Sequence, residues 1–420
     1  MTIRAPMLRA ARVFAAAAFA VTAALSLSAA PAAAADPLRI GLSLSLTGPT
    51  SPAGKQVLAG LEIWRDDINR KGGLLGRQVQ LVYYDDQGKP ANAPGIYAKL
   101  MGVDNVDLII GPYSTNVIAA ALPGIIQKKR MTLGIFGLGA NKSFKYPQYF
   151  SMNSQGPSPA NYSKCVFDLA AEQNPKPKRV ALVGADVEYS RNALDGAREN
   201  AKKMGFEVVF DRAYPLNTSD FTSIVRAMRA ANPDFVYAAT LPIDTVGIIR
   251  AAQEVDFKPK MIGGAMLGLL VTGIKQQLGP LVNGYISNEF YIPAPSLQFE
   301  GTKAFMDEYQ KRAKDIGTDP LGYTYPPYAY AAGQILAQAV TATKSTDDAK
   351  LADYIRKTTF DTIIGPIAFG PDGEWTEARI ICIQFQGVTG NDMAQFTDWS
   401  RQVVVYPPKY KAGNLKYPLQ

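Results

Sequence analysis

The chain has 420 residues, a formal net charge of +8, two cysteines and no histidine. Without histidine there is no Ser-His-Asp or Cys-His arrangement and no imidazole metal ligand, so the commonest hydrolase and metalloenzyme chemistries are excluded. The positive charge is scattered, with no lysine or arginine block, and leaves no nucleic-acid footprint.

The first element, MTIRAPMLRAARVFAAAAFAVTAALSLSAAPAAAAD, places Arg4, Arg9 and Arg12 ahead of an apolar run that closes on Ala33-Ala34-Ala35. This is the pattern of a secretory signal peptide over residues 1–35, cleaved after Ala35, and it predicts a periplasmic product. Three of the charges belong to it, which leaves +5 on the remainder. No later segment has eighteen uninterrupted apolar residues. Cys165 and Cys382 would meet an oxidising compartment, where they either bridge or stay as buried thiols.

From Leu38 onward short β-rich runs alternate with helical ones, which predicts α/β units on parallel sheets. RIGLSLS is the first strand, and Val57, Leu61, Trp64 and Ile68 follow at helical spacing up to the stop Lys71-Gly72-Gly73. QVQLVYYDD, DLIIG and MTLGIF complete one open sheet with their helices. After the punctuation of MNSQGPSPAN the cycle restarts with KRVALVGAD, FEVVFDRAY, DFVYAAT and PKMIGGA. A mostly helical stretch follows, then IIGPIAFGPDGEW and a last strand RIICIQFQGV; the tail VVVYPPKYKAGNLKYPLQ reads as irregular. Two sheet lobes leave a crevice between them, and ligands of open sheets bind beyond the carboxyl ends of the strands.

Several loops lie at such ends. GPTSPAGKQ imitates a phosphate-binding loop but has five residues between its glycines and Gln56 where a hydroxyl is needed. GLGANK lacks the third glycine of a dinucleotide fingerprint. Both GLGANK and GPYSTN read better as cradles for a small anion, formed by unpaired N–H groups and a helix N-terminus. Ser114 and Thr115 add hydroxyls there, and the competing expectation is that one of them merely caps the following helix. Asp85-Asp86 are expected to brace a loop. The tyrosines between Tyr323 and Tyr330 are expected to be mostly core.

Taken together, LSLTGPTSPAGKQVLAGLEIWRDDINRKGGLLGRQVQLVYYDDQG, IIGPYSTN, IFGLGAN, ADVEYS and IIGPIAFGPDGEW resemble the periplasmic leucine/isoleucine/valine-binding protein family, solute receptors of ABC importers, over essentially residues 36–400. The resemblance implies a type I periplasmic binding protein: α/β, two Rossmann-like lobes with parallel sheets joined by three crossovers, closing on a ligand. It puts residues 36–153 and 291–364 in lobe 1 and 154–290 and 365–420 in lobe 2, with hinges near Asn153–Pro157, Asn288–Pro293 and Ile363–Gly365. It implies a monomer that docks on a membrane permease, with no catalysis, no cofactor and no metal.

By the same resemblance the ligand site comprises Tyr113, Ser114 and Thr115, the backbone of Leu138, Gly139 and Ala140, and Tyr189, with Leu241, Ala265 and Ala53 where amino-acid binders usually carry larger or charged groups. Ala265 stands where a glutamate pairs with the ligand ammonium. Burying an ammonium without an anion costs several kcal/mol, so the expected ligand is a small apolar or aromatic carboxylate. A branched-chain or other hydrophobic amino acid is the alternative, with Asp244 or Glu188 as displaced anion. A ligand-sensing receptor domain without transport is a further alternative.

Overall fold

The computed structural model describes residues 1–2 and 35–419. The leader expected over 1–35 therefore lies almost entirely outside the described residues. Lobe 1 contains β1 (Leu38–Leu44), α1 (Ser51–Arg70), β2 (Val79–Asp85), α2 (Ala93–Gly102), β3 (Leu108–Tyr113), α3 (Thr115–Gln127), β4 (Thr132–Ile135) and β5 (Tyr149–Met152). Its five strands are all parallel, in the order β2-β1-β3-β4-β5. The apolar stripe of α1 behaves as its spacing predicts, since Val57, Leu61 and Trp64 are buried.

The chain then enters lobe 2 through α4 (Ala160–Ala171), β6 (Arg179–Ala185), α5 (Glu188–Met204), β7 (Glu207–Tyr214), α6 (Thr222–Ala230), β8 (Phe235–Thr240), α7 (Pro242–Glu254), β9 (Met261–Met266), α8 (Thr272–Leu278) and β10 (Ile286–Glu289). It returns to lobe 1 with α9 (Thr302–Ala313), α10 (Tyr325–Thr343), α11 (Asp348–Lys357) and the hairpin β11 (Thr359–Phe360) and β12 (Ile367–Ala368). Helix α10 lies so close on α1 that a Cβ on Gly333 would sit 2.2 Å from the Trp64 ring. The chain ends in lobe 2 with β13 (Ile381–Phe385) and β14 (Gln402–Tyr406).

The lobe 2 sheet runs β14-β13-β10-β9-β8-β6-β7, in which β13 runs antiparallel to β10 and β14 antiparallel to β13. The tail expected to be irregular thus supplies β14: Val403, Val404 and Val405 bury their side chains by pairing on β13. Cys165 on α4 and Cys382 on β13 are joined by a disulfide within lobe 2, with Cα atoms 6.3 Å apart.

The third crossover differs from the expected Ile363–Gly365. Residues up to Trp375 remain with lobe 1, because Ser151 N at the β5 edge donates to Gly373 O (2.8 Å). Trp375 also bridges to Phe369. The passage to lobe 2 is Thr376–Ile380, where Arg379 N donates to Ser154 O (2.7 Å) across the first crossover. The attachment of the Pro371-Asp372-Gly373 turn to the β5 edge, a contact across more than two hundred residues, sets this boundary.

Beside this crossover, Glu374 is 6 % exposed and accepts from Gln155 Nε2 at 3.4 Å. Burial pushes its carboxyl up to about 8. The folded chain therefore holds a proton that the unfolded chain releases between the ordinary glutamate value and about 8. The stabilisation is complete on the acid side of that window and is lost as pH rises through it. The melting temperature should fall more steeply from pH 5 to 8 in the wild type than in Glu374→Gln; parallel curves would reject this assignment.

Candidate functional site

The carboxyl ends of β3 and β4 meet side by side, with Ser114 N donating to Ile135 O (3.0 Å). Two non-glycine residues there have left-handed backbones, Ser114 at φ 75° and Phe136 at φ 59°. Such strain costs of order 1–3 kcal/mol per residue and collects at functional sites. The Ser114 side chain makes no capping hydrogen bond to α3. The capping role expected for Ser114 or Thr115 is not taken up, and Ser114 stays half-buried beside the helix entrance.

Thr115 has a different part from the expected ligand donor. Its hydroxyl, 2 % exposed, accepts from Leu138 N (2.9 Å) and donates to Phe136 O (3.3 Å). Its single proton is committed, so Thr115 ties the GPYSTN and GLGAN loops together. The N–H groups of Thr115 and Asn116 at the start of α3, and those of Gly139 and Ala140, have no acceptor among the described residues. The first turn of α3 carries no acid. Ser114 and these N–H groups stand on two loops that the Thr115 hydroxyl ties together, a donor set of the kind a carboxylate takes.

Lobe 2 closes over it. Asn192 Nδ2 donates to Leu138 O (2.7 Å), and Tyr189 N donates to Asn116 Oδ1 (3.2 Å). Neither asparagine was singled out from the sequence, although Asn116 stands in GPYSTN itself. Because these bonds exist only when the lobes meet, Asn192→Ala should weaken ligand binding by about threefold to tenfold, one ordinary hydrogen bond, with the binding isotherm as the readout.

Tyr189 is 7 % exposed. Its hydroxyl pairs with Tyr162 Oη (2.9 Å) and reaches the carbonyl of Ala265 (3.2 Å). Burial raises both phenols well above the ordinary tyrosine range, so they act as neutral donors. At Ala265, where an acid was noted as missing, the chain presents a carbonyl already in use.

A continuous aromatic wall joins the lobes. Phe136 lies 5.0 Å from Tyr325, 4.9 Å from Tyr328 and 4.8 Å from Phe290, centroid to centroid. Phe290, in the second crossover, stacks on Tyr162 at 5.6 Å, and Tyr113 meets Tyr325 edge-on at 6.1 Å. Tyr325 and Tyr328 were expected as core. They are core to lobe 1, yet their rings face this junction.

Leu241, the residue ahead of α7, belongs to the cleft mouth, a cavity of about 560 Å³ that Pro49, Thr50 and Asn116 line from lobe 1 and Val187 and Pro242 from lobe 2. Ala53 is buried in the first turn of α1 and does not line that mouth; Thr50, just ahead of the helix, does.

The acids sort as follows. Asp86 accepts from Ser43 and Ser45 hydroxyls (3.0 and 2.7 Å), and Asp85 holds Leu46 N and Thr47, so both brace the loop as expected. Glu188 pairs with Arg191 (3.3 Å). Asp244 accepts from Tyr214 Oη (3.1 Å). A further acid, with no local sequence mark of a site, is Glu289 at the end of β10 next to Phe290. It is 2 % exposed, held by Ser287 Oγ (2.9 Å) and Thr324 Oγ1 (3.4 Å), and burial pushes its carboxyl up to about 7 against the opposing pull of Lys275.

A sequence profile described as periplasmic binding protein matches residues 37–386. The Leu/Ile/Val-binding protein homolog 2 of Brucella abortus is 25 % identical over 346 residues, covering 80 % of this chain and 87 % of its own. The leucine-binding protein of Thermotoga maritima superposes with a TM-score of 0.73 at 20 % identity, over 84 % of this chain and 96 % of that one. A solute-binding protein of an ABC transporter from Rhodopseudomonas palustris HaA2, solved with p-hydroxybenzoic acid, also reaches a TM-score of 0.73, at 18 % identity over 84 % and 94 %.

Proposed function

Since this chain belongs to the periplasmic binding protein family, we propose that it serves an ABC importer of the branched-chain amino acid type as its exported receptor and takes a small apolar or aromatic carboxylate. Delivery to a membrane permease and release of the leader after Ala35 are parts of the same reading. No bond of the ligand is made or broken.

The ligand class is supported by unpaired N–H groups at the start of α3 and in the GLGAN turn, two segments that Thr115 ties together beside the Phe136 ring. Glu188 and Asp244 have partners, and Ala265 supplies no charge. An α-ammonium placed at Ala265 would lose its hydration with no anion at that position, at a cost of several kcal/mol. The ligand of the Rhodopseudomonas receptor, an aromatic acid, points the same way. Binding favours the closed state through the contacts that only closure supplies, chiefly those of Tyr189 and Asn192.

The amino-acid reading keeps one observation in its favour, the buried carboxyl of Glu289 beside the aromatic wall. Calorimetry on protein unfolded, freed of ligand and refolded distinguishes the two. Benzoate should bind and leucine should not, and Glu289→Gln should change benzoate affinity by less than about threefold, since it removes no ligand partner. Micromolar leucine binding that collapses in Glu289→Gln would reverse the assignment.

A further inference from the structure

A second cavity, of about 490 Å³, flanks the hinge rather than the cleft mouth. Lobe 1 contributes the Asn141–Pro147 loop and the Pro371–Glu374 turn, and the first crossover contributes Gln155, Pro157 and Pro159. Its walls are mostly apolar and flat, made by four prolines and the Tyr146 ring. Exposed Lys142 and Lys145 stand at the rim.

The floor is polar and unsatisfied. Gln155, 1 % exposed, gives its Nε2 to Glu374, while its Oε1 has no partner among the described residues. Turning the amide over only exchanges which end is left free. A buried amide end without a partner costs roughly 1–3 kcal/mol, and a ligand group that completes it recovers that cost. Gln155 Oε1 is a free acceptor and Glu374, which burial keeps protonated, has an O–H to donate beside it, together the complement of a primary amide or lactam edge. Proline and tyrosine faces suit the flat ring that carries such an edge.

The cavity also reports on closure. A Cβ on Gly139, in the cradle loop, would stand 3.5 Å from Asn192 of lobe 2 and 3.7 Å from Pro159 of the first crossover, so this wall packs directly against the other lobe. We propose that the hinge-flanking cavity is an effector site for a small planar amide or lactam, which on binding holds the lobes closed and tightens the main ligand. The two sites share the Gly139 loop but no ligand-binding group, and by linkage each ligand strengthens the other.

Benzamide is a suitable probe, because it has the amide edge and the ring but no carboxylate for the cradle. With benzoate saturating the cleft, ligand-observed NMR should still show saturable benzamide binding. Benzamide should in turn tighten benzoate by about fivefold, the low end of ordinary couplings, and shrink the radius of gyration measured by small-angle scattering. Gln155→Leu removes the polar floor but touches the hinge. Lys142→Trp fills the rim from an exposed position and leaves the floor intact. Both should abolish benzamide binding with benzoate binding retained. Benzamide displaced one-for-one by benzoate, benzamide binding unaltered by Lys142→Trp, or no binding at tens of millimolar would each overturn the proposal. If benzoate fails to bind at all, benzamide against the two variants and the scattering radius still read the second site, so the two failures remain distinct.

Discussion

Thr115→Val should lower affinity for the cleft ligand by about tenfold to a hundredfold while the chain stays folded. Valine keeps the shape of threonine, so packing at this buried position is preserved. What disappears is the hydroxyl that accepts from Leu138 N and donates to Phe136 O. The Leu138 N–H is then buried without a partner, a penalty of about 1–3 kcal/mol, and the two loops of the cradle lose their tie. A shift of a few tenths of an ångström separates the Gly139 and Ala140 N–H groups from Ser114, and a carboxylate needs them together. Thr115→Ser retains the hydroxyl and should bind nearly as the wild type does. Calorimetry with benzoate on both variants is the measurement; equal affinity for the valine and serine variants would remove Thr115 from the account of the site.

Loss of the disulfide should cost lobe 2 about 2–5 kcal/mol of stability. The bridge spans 217 residues of sequence, and the restriction it places on the unfolded chain grows with that length. The link ties α4 to β13, two elements of one lobe that the chain reaches from opposite sides of lobe 1. Urea unfolding of Cys165→Ala/Cys382→Ala should move a transition of lobe 2, whereas ligand affinity should change little because neither cysteine reaches the cleft. Unchanged unfolding in oxidised and reduced protein would show that the bridge contributes nothing.

Much of this fold is legible in the sequence because its signals are local. Strand periodicity, the helical stripe of α1 and the glycine stops depend on neighbours a few residues apart. The exceptions are instructive. Strand β14 was read as irregular tail because Gln402–Tyr406 is strand only through β13, which lies about twenty residues earlier. The resemblance puts the third hinge at Ile363–Gly365, but the hydrogen bond from Ser151 to Gly373 keeps the chain in lobe 1 for ten residues more.

The site divides the same way. GPYSTN and GLGAN stand out as loops that follow strands and open into a helix or turn, so their place at the crevice follows from strand order alone. Which groups face a ligand does not. Thr115 spends its hydroxyl on two backbone groups 21 and 23 residues away, Ser114 is freed by a backbone angle with no compositional mark, and Glu289 is a site-edge acid only because Thr324 and Lys275 fold beside it.

By itself, then, the sequence determined the two-lobed α/β class, the family, the absence of imidazole chemistry and the loops that approach a ligand, since each rests on local pattern or residue type. The tertiary structure decided the hinge boundary, the disulfide, the aromatic wall from Tyr113 to Tyr189, and the division between Ser114, which is free, and Thr115, which is occupied. Those depend on which donors and rings meet across about twenty to more than two hundred residues of chain. Local propensity has no term for such meetings, whereas burial and hydrogen-bond satisfaction settle each of them once the lobes have packed.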